Sequence, residues 1–227
     1  MQTKNNKKTI RAWAMFDWAN SAYNLVITST IFPAYYVAIT ANKQTGDKVL
    51  FFGKSFVNTA LSDYALATAY LVMAILLPIL TSIADYKGNK RIFMKSFTWL
   101  GALACCCLFF FNLKNLEFGI ICFALAAIGY SGGFVFYNSY LPEIATLDMQ
   151  DSVSAKGFTY GYIGSVILQL ICFVFVLFPA KFGLTATSSA QLSFLLVGIW
   201  WIGFAIIPSK ILPVRSTPLY YHIYWML

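Results

Sequence analysis

The sequence predicts an all-α integral membrane protein with six transmembrane helices, and three observations carry that expectation. Of 227 residues, 59% are apolar and only 11% charged, whereas a soluble domain carries about 25% charged residues. Mean hydropathy is +0.70, and the apolar residues gather in runs of about twenty, the length that crosses roughly 30 Å of hydrocarbon. The basic residues fall between those runs, where topology signals belong. That distribution assigns the net charge of +8 to membrane orientation and argues against a nucleic-acid partner.

Span 1 is expected over about Ala12 to Ile39, after a short N-terminal segment over residues 1–11. Lys4, Lys7, Lys8 and Arg11 ahead of an apolar run superficially resemble a signal peptide. The run nevertheless reaches about Thr40 and contains Asp17, Asn20 and Asn24, far beyond an apolar region of roughly 7–15 residues. It is read as a retained span. Span 2 follows over about Thr59 to Ile83, span 3 over Ile92 to Phe111 and span 4 over Glu117 to Tyr140. Span 5 covers about Phe158 to Phe178 and span 6 about Ala190 to Ile207. Each is apolar around its whole circumference, unlike a helix lying on a membrane surface. The bundle thus occupies residues 12–208, and residues 209–227 form an atypical tail.

Orientation follows from Lys and Arg. With the N-terminus inside, the inner segments hold eleven cations, among them Lys87, Lys90, Arg91, Lys95, Lys210 and Arg215, and the outer ones five: Lys43, Lys48, Lys54, Lys114 and Lys181. Both termini are expected in the cytoplasm, in a cell membrane. The five cysteines lie inside apolar runs, without a CxxC pair and away from the single histidine, His222. They read as small buried hydrophobes and not as metal ligands. No metal or cofactor is expected.

Few polar groups interrupt the spans. At roughly 100° per residue, Asp17, Asn20 and Asn24 fall at about 0°, 300° and 340°, on one helical face, with Tyr23 beside them. A carboxylate in hydrocarbon costs about 2.5–3.5 kcal/mol on insertion scales, so this face must meet protein or a water-filled cavity. Counted from Arg11, Asp17 lies roughly 9 Å into the helix. It serves either a solute or proton site, or a carboxylate compensated by the helix N-terminus or a neighbouring helix. Span 4 ends with Tyr137 and Asn138, deep enough to line a cavity, and Pro142 stops a regular helix before Glu143. Glu143 is either a gating residue or simply solvated. Asp63, near the outer start of span 2, reads as structural. Gly157, Gly161 and Gly164, like Gly129, Gly132 and Gly133, mark close helix contacts, either fixed or sliding.

The loop between spans 2 and 3 is the most diagnostic stretch. Asp85 ends one helix, Gly88 permits a tight reversal, and Lys87, Lys90 and Arg91 hold the loop on the inner side. It resembles the G-x-x-x-D-[RK]-x-G-[RK]-[RK] signature of the major facilitator superfamily. Asp85, Gly88 and Lys90 match, Thr81 replaces the first glycine, and Tyr86 and Asn89 replace basic residues. Three further segments are similar to the vacuole-effluxer branch of that superfamily: Phe16 to Tyr23 with Ile31-Phe32-Pro33, Phe136 to Ala145, and Ser154 to Gly164. The similarity covers roughly residues 11–208.

That resemblance implies a twelve-span fold in two six-helix bundles, each of 3+3 inverted repeats, with this chain as the N-terminal bundle. It also implies alternating-access transport of a small polar solute such as an amino acid, coupled to a proton or another ion. Asp17, Asn20, Tyr23, Asn24, Tyr137 and Asn138 would line one wall, while Asp85, Gly88, Lys90, Arg91 and Glu143 would belong to the inner gate. The chain ends after six spans, which reads as an incomplete transporter or as a half that assembles with a second half or as a homodimer. The alternative is a non-transporting structural or assembly membrane protein, or an inactive fragment. An enzyme is not expected: the sequence carries no HExxH, Gly-x-Ser-x-Gly or DxD-like pair.

Overall fold

A computed structural model of the chain describes residues 4–41 and 46–213. Lys43, Arg215, His222 and most of the expected tail lie outside them. The elements in chain order are α1 (Lys7–Ala22), a π-helical segment (Tyr23–Ile31), α2 (Phe32–Thr40), β1 (Lys48–Phe51) and β2 (Lys54–Val57). They continue with α3 (Asn58–Lys87), α4 (Lys90–Leu108), α5 (Leu116–Asn138), the short α6 (Leu141–Ile144), α7 (Gln150–Leu177) and α8 (Ala186–Ile211). Among the described residues, six helical stretches are long and apolar enough to cross a membrane, as the sequence predicts. The molecule is an integral, multi-pass, all-α membrane protein.

Local chemistry sets the helix ends. Asn6 caps α1, its side chain accepting from the Lys8 and Thr9 amides. Thr185 and Ser188 form a reciprocal capping box at the start of α8. Gly88, at φ 63°, takes the left-handed conformation that closes α3, as its residue type predicts. Span 1 runs from Lys7 to Thr40 as one 34-residue stretch, starting earlier than the sequence suggests. Counted from Lys7, Asp17 is then about 15 Å along the helix.

Two features have no counterpart in the sequence reading. The first is the π-helical segment inside span 1. It coincides with a run of β-branched residues (Val26, Ile27, Thr28, Thr30 and Ile31) and ends two residues before Pro33, which cannot donate to the Ser29 carbonyl. The Ser29 and Thr30 hydroxyls donate five residues back, to Asn24 O at 2.9 Å and Leu25 O at 2.8 Å. The second is an antiparallel hairpin of β1 and β2, turning on Phe52 and Gly53. Both turn residues have positive φ, 46° and 77°, the twist that two-residue hairpins require.

The core forms where helices meet without side chains between them. A Cβ on Gly129 would strike the Gly101 backbone, so α4 and α5 touch chain to chain. Gly198 brings α8 against Ala102 and Cys106 of α4. Aromatic rings fill the remaining space, with Phe32 stacked on Phe123 at 3.8 Å and Tyr23 between Tyr130 and Trp201. All five cysteines are free thiols in these helices, three of them buried. By contrast, α3 and much of α7 present large apolar side chains outward, such as Leu71, Ile75 and Leu170.

Candidate functional site

The glycine row of α7 decides where α1 lies. A Cβ on Gly157 would meet the Trp13 ring and the Tyr137 hydroxyl, one on Gly164 would meet Trp18, and one on Gly161 would lie 2.7 Å from Ser21 Oγ and 2.9 Å from Asp17 Oδ2. The row therefore seats α1 against α7 with the Asp17 carboxylate at the seam. Beside it a cleft of about 300 Å³ opens between α1, the π-helical segment, α5 and α7. Its lining carries the polar Asp17, Ser21, Asn24, Ser29, Tyr162 and Ser165. Among these stand the apolar Leu25, Phe134, Phe158 and Val166, with Tyr130 stacked beside Phe134.

Asp17 is 1% exposed. Ser21 Oγ donates to its Oδ1 at 2.7 Å, while Oδ2 has no hydrogen-bond partner among the described residues. A buried carboxylate oxygen without a donor is expensive to maintain. Oδ2 faces Gly161 of α7, at the helix seam beside the cleft. Asn24 stands exposed on the same cleft. Asn20 does not line it. Asn20 is 0% exposed and turns into the bundle, its Oδ1 facing Gly133 of α5 near Thr98 of α4, and neither amide atom has a partner among the described residues. The 60° between Asn20 and Asp17 on the wheel is enough to carry it from the cleft wall to the helix interface behind.

Tyr23 is also interior, packed between aromatic rings, and its hydroxyl has no hydrogen-bond partner among the described residues. Tyr137 joins α5 to α1: its ring stacks on Trp13 at 4.2 Å and on Phe16 at 5.0 Å, and its backbone carbonyl accepts from Trp13 Nε1 at 2.9 Å. Asn138 ends α5 and is exposed. Ser21, Ser29, Tyr130, Tyr162 and Ser165 escaped the sequence reading. Ser21 and Tyr130 had a legible signal, since Ser21 follows Asp17 by four residues and Tyr130 precedes Tyr137 by seven, each pair sharing a helical face.

At the end of the bundle that holds the α3–α4 loop, Lys90 gathers the charges. Its ammonium lies 3.0 Å from Asp85 Oδ1 and 2.8 Å from Glu143 Oε1, tying the end of α3 to α6. Glu143 is therefore paired and not merely solvated. Arg91 donates to the carbonyls of Ser209 and, at 3.2 Å, Leu212, covering the C-terminal end of α8, where a cation complements the helix dipole. Asn5 ties the N-terminal segment to the loop ahead of α7 through the Thr146 amide and hydroxyl, at 3.0 and 2.8 Å.

A family model described as vacuole effluxer Atg22 like matches residues 5–222. The chain belongs to this vacuole-effluxer family. Within it, the chain is 32% identical over 200 residues to a Bacillus subtilis protein named as an uncharacterized MFS-type transporter, YxiO, covering 87% of this chain and 45% of that protein. Autophagy-related protein 22-2 of Penicillium rubens is 21% identical, over 74% of this chain and 39% of its own length. Autophagy-related protein 22-1 of Aspergillus clavatus is 20% identical, over 74% and 38%. This vacuole-effluxer family chain thus spans less than half the length of these relatives. No solved structure matches it. The resemblance read from the Asp85 loop and the three flanking segments therefore holds at the level of family.

Proposed function

We propose that this bundle is one half of a secondary transporter and that its cleft carries a small polar solute of the amino-acid class by alternating access. The observation that supports the reading is the buried Asp17 oxygen without a donor, beside a cleft edged by hydroxyl and amide groups. The solute's ammonium group and a coupling proton compete for that oxygen. The Asn24 amide supplies a neutral donor for a carboxylate, and the Tyr130 and Tyr162 rings face the ammonium or an aliphatic side chain. Asp85, Lys90 and Glu143 serve as the inner gate, with Asp85 meeting a helix N-terminus of a second six-helix unit. The exposed apolar faces of α3 and α7 meet that unit and the lipid. In this reading both termini are cytoplasmic, the host is the cell membrane, and the chain performs transport without catalysis.

The test is counterflow of a labelled amino-acid mixture into proteoliposomes holding the purified chain, with crosslinking to report whether a second copy supplies the other half. Asp17→Asn and Asp85→Asn are each expected to lower uptake about tenfold or more, equivalent to about 1.4 kcal/mol, while circular dichroism stays helical. Two variants that match a competent wild type would remove the site assignment. A wild type without uptake of any amino acid, despite a crosslinked dimer, would remove the solute class.

A further inference from the structure

We propose that a second crevice, between α4 and α8 at the end of the bundle bearing the α3–α4 loop, binds the headgroup of an anionic phospholipid. The crevice measures about 170 Å³ and is built on different helices from the cleft around Asp17. Lys95, in the second turn of α4, and Lys210, in the last turn of α8, stand on it with Ser209 between them in the lining. Neither lysine has a carboxylate partner among the described residues, because Lys90 holds both Asp85 and Glu143. The negative end of α8 is already covered by Arg91. Two lysines without a carboxylate partner among the described residues therefore border one crevice whose lining is mostly apolar.

What continues from the lysines selects a lipid over a soluble anion. Along α4, Lys95 is followed at four-residue steps by Trp99 and Leu103, which are 49% and 50% exposed. Along α8, read back from its end, Lys210 is followed by Ile206, Ile202 and Ile199, with Ile206 and Ile199 exposed. Trp99, Ile202 and Ile206 line the crevice itself. Two antiparallel helices thus share one polarity: cations at the basic end, then an apolar strip running toward mid-membrane. A phosphate group fits the first part and an acyl chain the second, with Trp99 at the level where indoles favour the interface.

The experiment is native mass spectrometry of the purified full chain with phosphatidylglycerol, phosphatidylcholine or inorganic phosphate added separately. A surface lysine near anionic lipid is worth about fivefold in affinity, so the pair predicts roughly 25-fold preference for phosphatidylglycerol over phosphatidylcholine at low salt. Lys95→Gln with Lys210→Gln should bring the preference close to unity, while Lys48→Gln with Lys54→Gln, at the hairpin, should leave it unchanged. A photoactivatable phosphatidylglycerol on the wild type, which needs no variant to fold, should label peptides around residues 95–103 and 199–210. Equal binding of the two lipids, preference surviving the Lys95/Lys210 exchange, or labelling confined to other helices would overturn the proposal. Inorganic phosphate that binds alone and fully displaces phosphatidylglycerol would assign the crevice to a soluble anion and overturn it as well.

Discussion

Replacing Gly129 by alanine tests whether backbone-to-backbone contact organises this bundle. The new Cβ would collide with the Gly101 Cα and N and would lie 2.7 Å from Phe97 O, against about 3.5–4.0 Å for relaxed carbon contacts. No flexible side-chain end is available to yield, so α4 and α5 must separate by roughly 1 Å. Overpacking of this kind costs about 1–3 kcal/mol, while alanine returns up to about 1 kcal/mol of helix propensity. The net loss of up to about 2 kcal/mol corresponds to a fall in Tm of up to roughly 8 °C for a chain of this size. The control is Gly203→Ala, because a Cβ there meets nothing within 4 Å. That variant keeps the propensity gain and should melt at or slightly above wild type. Thermal denaturation of the two purified variants in one detergent measures the difference. Gly129→Ala as stable as Gly203→Ala would refute the direct contact.

Other consequences are equally open to measurement. Lys90→Met leaves Asp85 and Glu143 facing each other without a cation. Because both carboxylates are partly exposed, the loss is about 1–2 kcal/mol, read as a lower Tm, with Lys90→Arg restoring most of it. Arg91→Lys keeps the charge but loses the planar fork that reaches two carbonyls, so hydrogen exchange should quicken over residues 205–212 and stay unchanged in α5. In a cysteine-free background, Asn24→Cys should react readily with a water-soluble maleimide, whereas Ser193→Cys, at a fully buried position, should resist. Equal reactivity at the two sites would mean that the cleft does not admit water.

What could be read from the sequence was what the bilayer imposes. Crossing hydrocarbon demands long runs of apolar residues, so all six spans were legible, and the backbone demand at Gly88 made the α3–α4 reversal legible too. Features set by exchange among neighbours were not. The hairpin turns on Phe52-Gly53 and lacks the Asn-Gly or Asp-Gly pair that marks such turns. The π-helical segment depends on where two hydroxyls bond and on a downstream proline, and periodicity alone gives no sign of it. Asp17 and Asn24 could be placed on a polar face because charge and amide groups must avoid lipid. The wheel could not tell which edge of that face met the cleft, so it grouped Asn20 with residues that the structure separates from it. Lys90 read as one cation in a basic loop, because its second partner, Glu143, is 53 residues away.

That shared ammonium has a mechanical meaning. Lys90 opens α4, Asp85 closes α3, and Glu143 sits beyond the far end of α5, so a single side chain pins three chain segments at one pole of the bundle. At the opposite pole the ties are neutral: the Asn58 amide donates to Thr40 Oγ1 at 2.8 Å and the Gln191 amide to Phe111 O at 2.7 Å. The bundle is therefore held at both ends, by an ion pair network at one and by uncharged hydrogen bonds at the other. Added salt, which screens charges and spares uncharged hydrogen bonds, will loosen the Lys90 end first.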